Sequence, residues 1–103
     1  MALITACKTS DVEEGFGRVV KAGGKEIALF KNNGEFFAID NTCPHQGGPL
    51  GEGQLYDDGS GVGVICPLHG YMFNIKTGEG MSFPTGVNSY RVVVEGDEVK
   101  VEV

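Results

Sequence analysis

Cys43, His45, Cys66 and His69 are the residues of this chain whose types and spacing could do chemistry. They fall in two short segments, Cys43-Pro44-His45-Gln46-Gly47-Gly48-Pro49-Leu50 and Cys66-Pro67-Leu68-His69-Gly70-Tyr71. Two soft thiolates and two imidazoles, shared evenly between segments about twenty residues apart, suit zinc or an iron–sulfur centre. In an extended segment positions i and i+2 project to one side, so Cys43 and His45 can both face a partner loop. Pro44 between them has a fixed φ and no N–H, which keeps the pair out of a helix. A tight turn through Pro67-Leu68 brings His69 beside Cys66. Each loop then offers one sulfur and one nitrogen, which fits a two-metal centre with both thiolates on one iron and both imidazoles on the other. Gly47, Gly48 and Gly70 follow the donor pairs, and glycine lets backbone N–H groups approach cluster sulfur with no Cβ in the way. Zinc sites usually open with two cysteines a few residues apart, so Cys-x-His as the first half favours iron–sulfur.

The elements that must hold these loops read as strands. Seventeen glycines and many short apolar alternations predict an all-β protein. Strands are expected at 3–7, 17–22, 25–32, 35–40, 62–66, 71–74, 89–95 and 98–103. Hairpin turns are expected at Ala22-Gly23-Gly24-Lys25, Asn32-Asn33-Gly34-Glu35 and Glu95-Gly96-Asp97-Glu98. Tyr90, Val92 and Val94, followed by Val99, Val101 and Val103, place one apolar face of the last hairpin on the core. The one expected helical turn lies at Ser10-Asp11-Val12-Glu13, which has a capping-box pattern. All four prolines, both histidines and two of the three cysteines lie between residues 41 and 84. One domain over 1–103 is therefore expected, with a basal β scaffold at about 1–40 and 85–103 and a metal-binding insert at about 41–84.

Composition excludes several classes. Fourteen acidic against eight basic side chains give a net charge of −6, which argues against nucleic acid or an anionic membrane as partner. The same charge suits docking on a basic patch of another protein. The longest apolar stretches run three or four residues, too short to span a bilayer, and the N-terminus does not read as a secretion signal. A cytoplasmic address follows, in which Cys7, Cys43 and Cys66 stay reduced. Cys7 reads as a small apolar residue in a strand.

Cys-x-His, about twenty residues, then Cys-x-x-His resembles the Rieske family, where two histidines replace two cysteines on one iron. The two segments look like those of cytosolic Rieske ferredoxins and of cluster-bearing nitrite reductase small subunits, and the likeness covers the whole chain. It implies a Rieske-type antiparallel β-sandwich or barrel with a small cluster-binding subdomain of loops and short strands. It also implies one [2Fe–2S] cluster on Cys43, His45, Cys66 and His69. Ser82-Phe83-Pro84 would be the proline-bearing loop that covers the cluster from a third side. His45 and His69 would form an exposed tip, with Pro49, Leu50, Leu68 and Pro84 as an apolar patch around it.

Respiratory members of the family carry an extra cysteine in each loop, and those positions hold Gly48 and Leu68 here. They also carry a serine and a tyrosine that hydrogen-bond cluster sulfur, where this chain has Tyr71 and Phe73. Fewer such bonds favour the oxidised cluster and imply for this chain a potential near the low end of the Rieske range, on the order of −150 mV. Rieske oxygenases need a second iron on two further histidines, and this chain has only two. The Gly59-Ser60-Gly61-Val62-Gly63 stretch reads as a hairpin tip rather than a dinucleotide motif. The expected role is a ferredoxin, an electron carrier and not an enzyme, passing single electrons from a flavin reductase to a terminal oxygenase. The alternatives are the small subunit of an NAD(P)H-dependent nitrite reductase, bound to its large subunit, and a zinc-stabilised interaction module.

Overall fold

A computed structural model describes residues 2–44, 47–57, 59, 61–68, 70–82 and 84–103. Ten strands are present among them: β1 Leu3–Lys8, β2 Gly17–Ala22, β3 Lys25–Asn32, β4 Glu35–Asp40, β5 Gln54–Asp57, β6 Val62–Ile65, β7 Met72–Asn74, β8 Ser89–Tyr90, β9 Val92–Glu95 and β10 Glu98–Glu102. They form three antiparallel sheets, ordered β1-β10-β9, β2-β3-β4-β8 and β5-β6-β7. The all-β expectation is met.

The run Ile27-Ala28-Leu29-Phe30 explains how the sheets stack. Strand side chains alternate between faces, yet all four of these residues are buried. Ile27 and Leu29 pack with Val20, Ala38, Val99 and Val101. Ala28 and Phe30 pack with Ile39, Val64, Phe73, Cys43 and Cys66. The sheet holding β3 is therefore the middle layer, with a core on each face. A continuous apolar run is what a strand covered on both sides requires.

Three expectations are corrected. The helical turn is a 3-10 turn at Thr9–Asp11, closed by Asp11 Oδ2, which accepts from the Lys8 N–H at 2.9 Å. Buried Val12 is already extended, so Glu13 cannot complete a capping box with Ser10. The strand expected at 89–95 breaks at Arg91. Ser89–Tyr90 pairs with β4 and Val92–Glu95 with β10, so the chain passes from the middle sheet to an outer one there. On β9 the apolar face runs out toward the hairpin tip, leaving Val94 46% exposed opposite buried Val99. Strand β5 was not foreseen. Gln54-Leu55-Tyr56-Asp57 has no β-branched residue and is framed by glycines, and its pairing partner β6 makes it a strand.

The expected hairpin turns form. Asn33 and Gly34 take positive φ (54° and 78°), as do Gly23 and Gly24 (58° and 78°), the geometry of a two-residue link between twisted strands. The Glu14 carboxylate accepts from the N–H groups of Asn33 and Gly34 at 2.6 and 2.9 Å, which fastens the β3–β4 turn from outside.

Asn41 joins the middle sheet to the first cysteine loop. It is 4% exposed, and its own N–H donates to the Glu26 carbonyl at 3.3 Å. Its carbonyl accepts from Leu50 at 2.7 Å and its side-chain oxygen from Gly51 at 2.8 Å. Asn41→Ala leaves the buried Gly51 N–H without its acceptor, an expected loss of about 2 kcal/mol. Denaturant titration checks it, and an unchanged midpoint would contradict it.

Candidate metal centre

The two cysteine loops close in the same way. The Cys43 N–H donates to the Gly48 carbonyl at 3.0 Å, and the Gly47 N–H donates back to the Cys43 carbonyl at 2.8 Å. The Cys66 N–H donates to the Tyr71 carbonyl at 2.7 Å, and the Gly70 N–H donates back to the Cys66 carbonyl at 2.9 Å. In each loop the glycine four residues after the cysteine closes back on it. Gly47 and Gly70 have φ of +73° and +76°, which L side chains adopt only at a cost.

Sequence reasoning gave these glycines a different job. Among the described residues, a Cβ on Gly70 would meet nothing within 4 Å, and one on Gly47 only Thr42 Cγ2 at 3.9 Å. The left-handed backbone is a constraint at both. Their N–H groups close the loops.

Gly48 is where close approach matters. A Cβ there would lie 2.6 Å from Cys66 Sγ and 3.2 Å from Leu68 Cγ. The backbone of the first loop therefore rests directly on the sulfur of the second. Gly48 and Leu68, the positions read as lacking the extra cysteines, do face each other.

Cys43 and Cys66 are each 2% exposed and share one core cluster with Leu50, Val64 and Phe73. The outer rim, Pro44, Gly47, Pro67 and Gly70, is exposed, and Leu68 is 55% exposed. Two sulfurs at the dry floor of two touching, matched turns fit a binuclear centre. His45, Gln46, His69 and Phe83 lie outside the described residues. Among the described residues no three potential ligands gather, so the imidazole half of the predicted set rests on the sequence.

The apolar patch needs one correction. Leu50 is fully buried and packs beneath the cysteines, so it supports the loops and cannot touch a partner. Pro84 is exposed, Pro49 is half-buried and Tyr71 is half-buried. Ser82 has a role that its position did not announce. Its Oγ accepts from the Met72 N–H at 2.7 Å, which ties the 81–82 segment to β7 beside the second loop. Cys7 is half-buried on β1, and burial, then Asp11, push its thiol above the ordinary value. It is thereby kept a poor thiolate.

Below the first loop, Asp40 accepts from the Asn88 N–H at 3.0 Å and from the Tyr90 hydroxyl. Burial, and then Asp40 itself, push Tyr90 up to about 12. A raised value means that the neutral phenol favours the fold. That contribution is complete below the ordinary value of 10 and is lost as pH climbs toward 12. The difference in stability between the native chain and Tyr90→Phe should therefore shrink across that window in alkaline melts. A constant difference would contradict the coupling.

A family model described as the Rieske [2Fe-2S] domain matches residues 2–96. The chain belongs to the Rieske family. It is 38% identical over 104 residues to the 3-phenylpropionate/cinnamic acid dioxygenase ferredoxin subunit of Shigella flexneri, covering 99% of this chain and 94% of that protein. It is 39% identical over 99 residues to apoptosis-inducing factor 3 of Mus musculus, covering 94% of this chain. It spans only 16% of that relative's length. Among solved structures, it is similar to one described as the complex of reduced oxygenase and oxidised ferredoxin in carbazole 1,9a-dioxygenase. The TM-score is 0.81 at 31% identity, over 96% of this chain and 91% of that one. It is likewise similar to the nitrite reductase [NAD(P)H] small subunit from Erwinia carotovora. There the TM-score is 0.81 at 25% identity, over 98% of this chain and 81% of that one. A Rieske domain carries a [2Fe–2S] cluster, and the twin cysteine loops are where this chain would hold it.

Proposed function

We propose that this Rieske chain is a one-electron carrier, a ferredoxin that passes electrons from a flavin reductase to a terminal oxygenase. The observation that carries the proposal is the pair of identically closed loops whose cysteines are buried and whose backbones touch. Cys43 and Cys66 are the thiolate ligands of one iron, and His45 and His69 the imidazole ligands of the other. The cluster supplies a site that takes up and releases a single electron. The chain's own residues do the rest. Gly47 and Gly70 shape the loops, Gly48 lets them meet, and Leu50, Val64 and Phe73 keep water from the sulfurs. Exposed Leu68 and Pro84 offer apolar contact to a partner, and the net charge of −6 favours a basic one. The chain itself catalyses nothing further, because both of its histidines are committed to iron.

The likeness to a ferredoxin subunit over nearly its full length supports this role. Likeness to a nitrite reductase small subunit favours a second reading, permanent attachment to a large catalytic subunit. No helix among the described residues is long and apolar enough to cross a membrane. We assign the chain to the cytoplasm.

Mixing the purified protein with NADH, a ferredoxin reductase and a ring-hydroxylating oxygenase tests the role. Oxygenase turnover should depend on the chain and saturate with it. Turnover that ignores the chain, with co-purification of a nitrite reductase large subunit, would select the second reading. Phe73 is fully buried and offers no donor to cluster sulfur. With Tyr71 in place of the respiratory members' serine, the midpoint potential should lie near about −150 mV, the low end of the Rieske range. Protein-film voltammetry giving a value well above zero would contradict this.

A further inference from the structure

Met72 and Met81 bring their sulfurs to one seat. A Cβ built on buried Gly63 would lie 2.7 Å from Met81 Sδ, 3.1 Å from Met72 Sδ and 2.6 Å from Met72 Cγ. The missing side chain at 63 is what seats both thioethers side by side over β6. Both methionines are half-buried, so a small oxidant in water can reach them.

The backbone beneath this pair holds the second cysteine loop closed. Tyr71 accepts from the Cys66 N–H at 2.7 Å, and its neighbour Met72 pairs with Ile65 across β6 and β7. The Met72 N–H donates to Ser82 Oγ at 2.7 Å, and the Met72 carbonyl accepts from the Met81 N–H at 2.8 Å. Met72 is therefore the joint between the Cys66 loop and the 81–82 segment, and its side chain and that of Met81 lock the joint by packing together.

We propose that the Met72–Met81 pair is an oxidation site, at which peroxide converts the thioethers to sulfoxides and so loosens this joint. At each sulfur the peroxide O–O bond breaks and one oxygen forms the S–O bond. The other leaves as water; sulfur loses two electrons and peroxide gains them. A sulfoxide is larger and polar, and it fits the close thioether contact over Gly63 less well than the apolar sulfur does. The oxidised side chain leaves its seat, the Met72–Ser82 clasp opens, and the Cys66 loop loses its backing. The consequence for bound iron rests on the electron-carrier role; the chemistry at sulfur does not.

Holoprotein treated with hydrogen peroxide and then freed of it tests the proposal. Peptide mass mapping should find sulfoxide at Met72 and Met81. Amide exchange in peptides covering 72 and 81–82 should quicken at least about fivefold. Methionine sulfoxide reductase should reverse both changes. The Met72→Leu/Met81→Leu protein, treated alike, should show no quickening. Unoxidised methionines, sulfoxides without faster exchange, or a double variant that responds like the native chain would each overturn the proposal. Iron release to a chelator should also quicken at least about fivefold after oxidation. Unchanged release from protein that does hold iron would overturn it as well. Protein that holds no iron at all would speak against the electron-carrier role instead, while the mass map and the exchange rates still judge the methionine pair.

Discussion

Cys66→Ser protein will fold but will be purified nearly colourless, with iron retention at least about 100-fold weaker than in the native chain. Outer partners of metal ligands already cost 10- to 100-fold when removed, as a rule of thumb, and Cys66 is proposed as a ligand itself. A serine oxygen is a hard donor of high basicity and a poor substitute for thiolate on iron. The fold survives because the exchange is nearly isosteric at a site that is 2% exposed. Burying a hydroxyl costs about 1–3 kcal/mol where it finds no partner, which a domain of this size can absorb. Cys43→Ser should behave alike, since the two loops are closed by equivalent hydrogen bonds. Cys7→Ser is the control: it lies on β1 among the other core's residues, and iron content should not change. Metal analysis and visible absorption read all three. Full iron in Cys66→Ser would remove this residue from the ligand set.

Gly78→Ala will destabilise the fold strongly. Gly78 follows β7, receives no Cβ, and is buried with φ of +79°. An added Cβ would lie 2.1 Å from the Val87 carbonyl oxygen, a backbone atom that cannot swing aside. The same neighbour donates its N–H to the Gly78 carbonyl at 2.7 Å, so retreat of Val87 breaks that bond too. Left-handed strain and overpacking together should cost at least about 3 kcal/mol. A loss of that size lowers the melting temperature by at least about 12 °C in a domain this small. Gly96→Ala separates the two causes. Its φ is +61°, but nothing lies within 4 Å of the added carbon, so only the backbone strain remains. A Gly78→Ala protein no less stable than Gly96→Ala would contradict the packing argument.

Much of this architecture was legible because hairpin turns and side-chain alternation are local signals. The paired glycine and asparagine turns at 23–24 and 33–34 marked their hairpins before any coordinates. What was illegible depended on distant partners. β5 exists because β6 offers it a ladder, and Gln54–Asp57 alone holds no β-branched residue to mark it. The break at Arg91 reflects a change of sheet that the uniform run of valines conceals. At the site, residue types and spacing exposed the cysteine–histidine pattern, and its match to a known family extended that to the cluster. The division of labour among the glycines was hidden. The left-handed φ of Gly47 and Gly70, and the close contact that Gly48 makes with the Cys66 sulfur, are set by how the two loops fold in space. Leu50 and Leu68 show the same limit. Both flank the pattern in sequence, yet one is fully buried and the other 55% exposed.

A Mössbauer spectrum of the oxidised, iron-57-enriched protein, prepared without oxygen, tests the central claim most directly. Thiolates on one iron and imidazoles on the other make the two irons unlike, so two doublets of equal area are expected, from two irons per chain. A single doublet, or a protein with stoichiometric zinc and no iron, would contradict it.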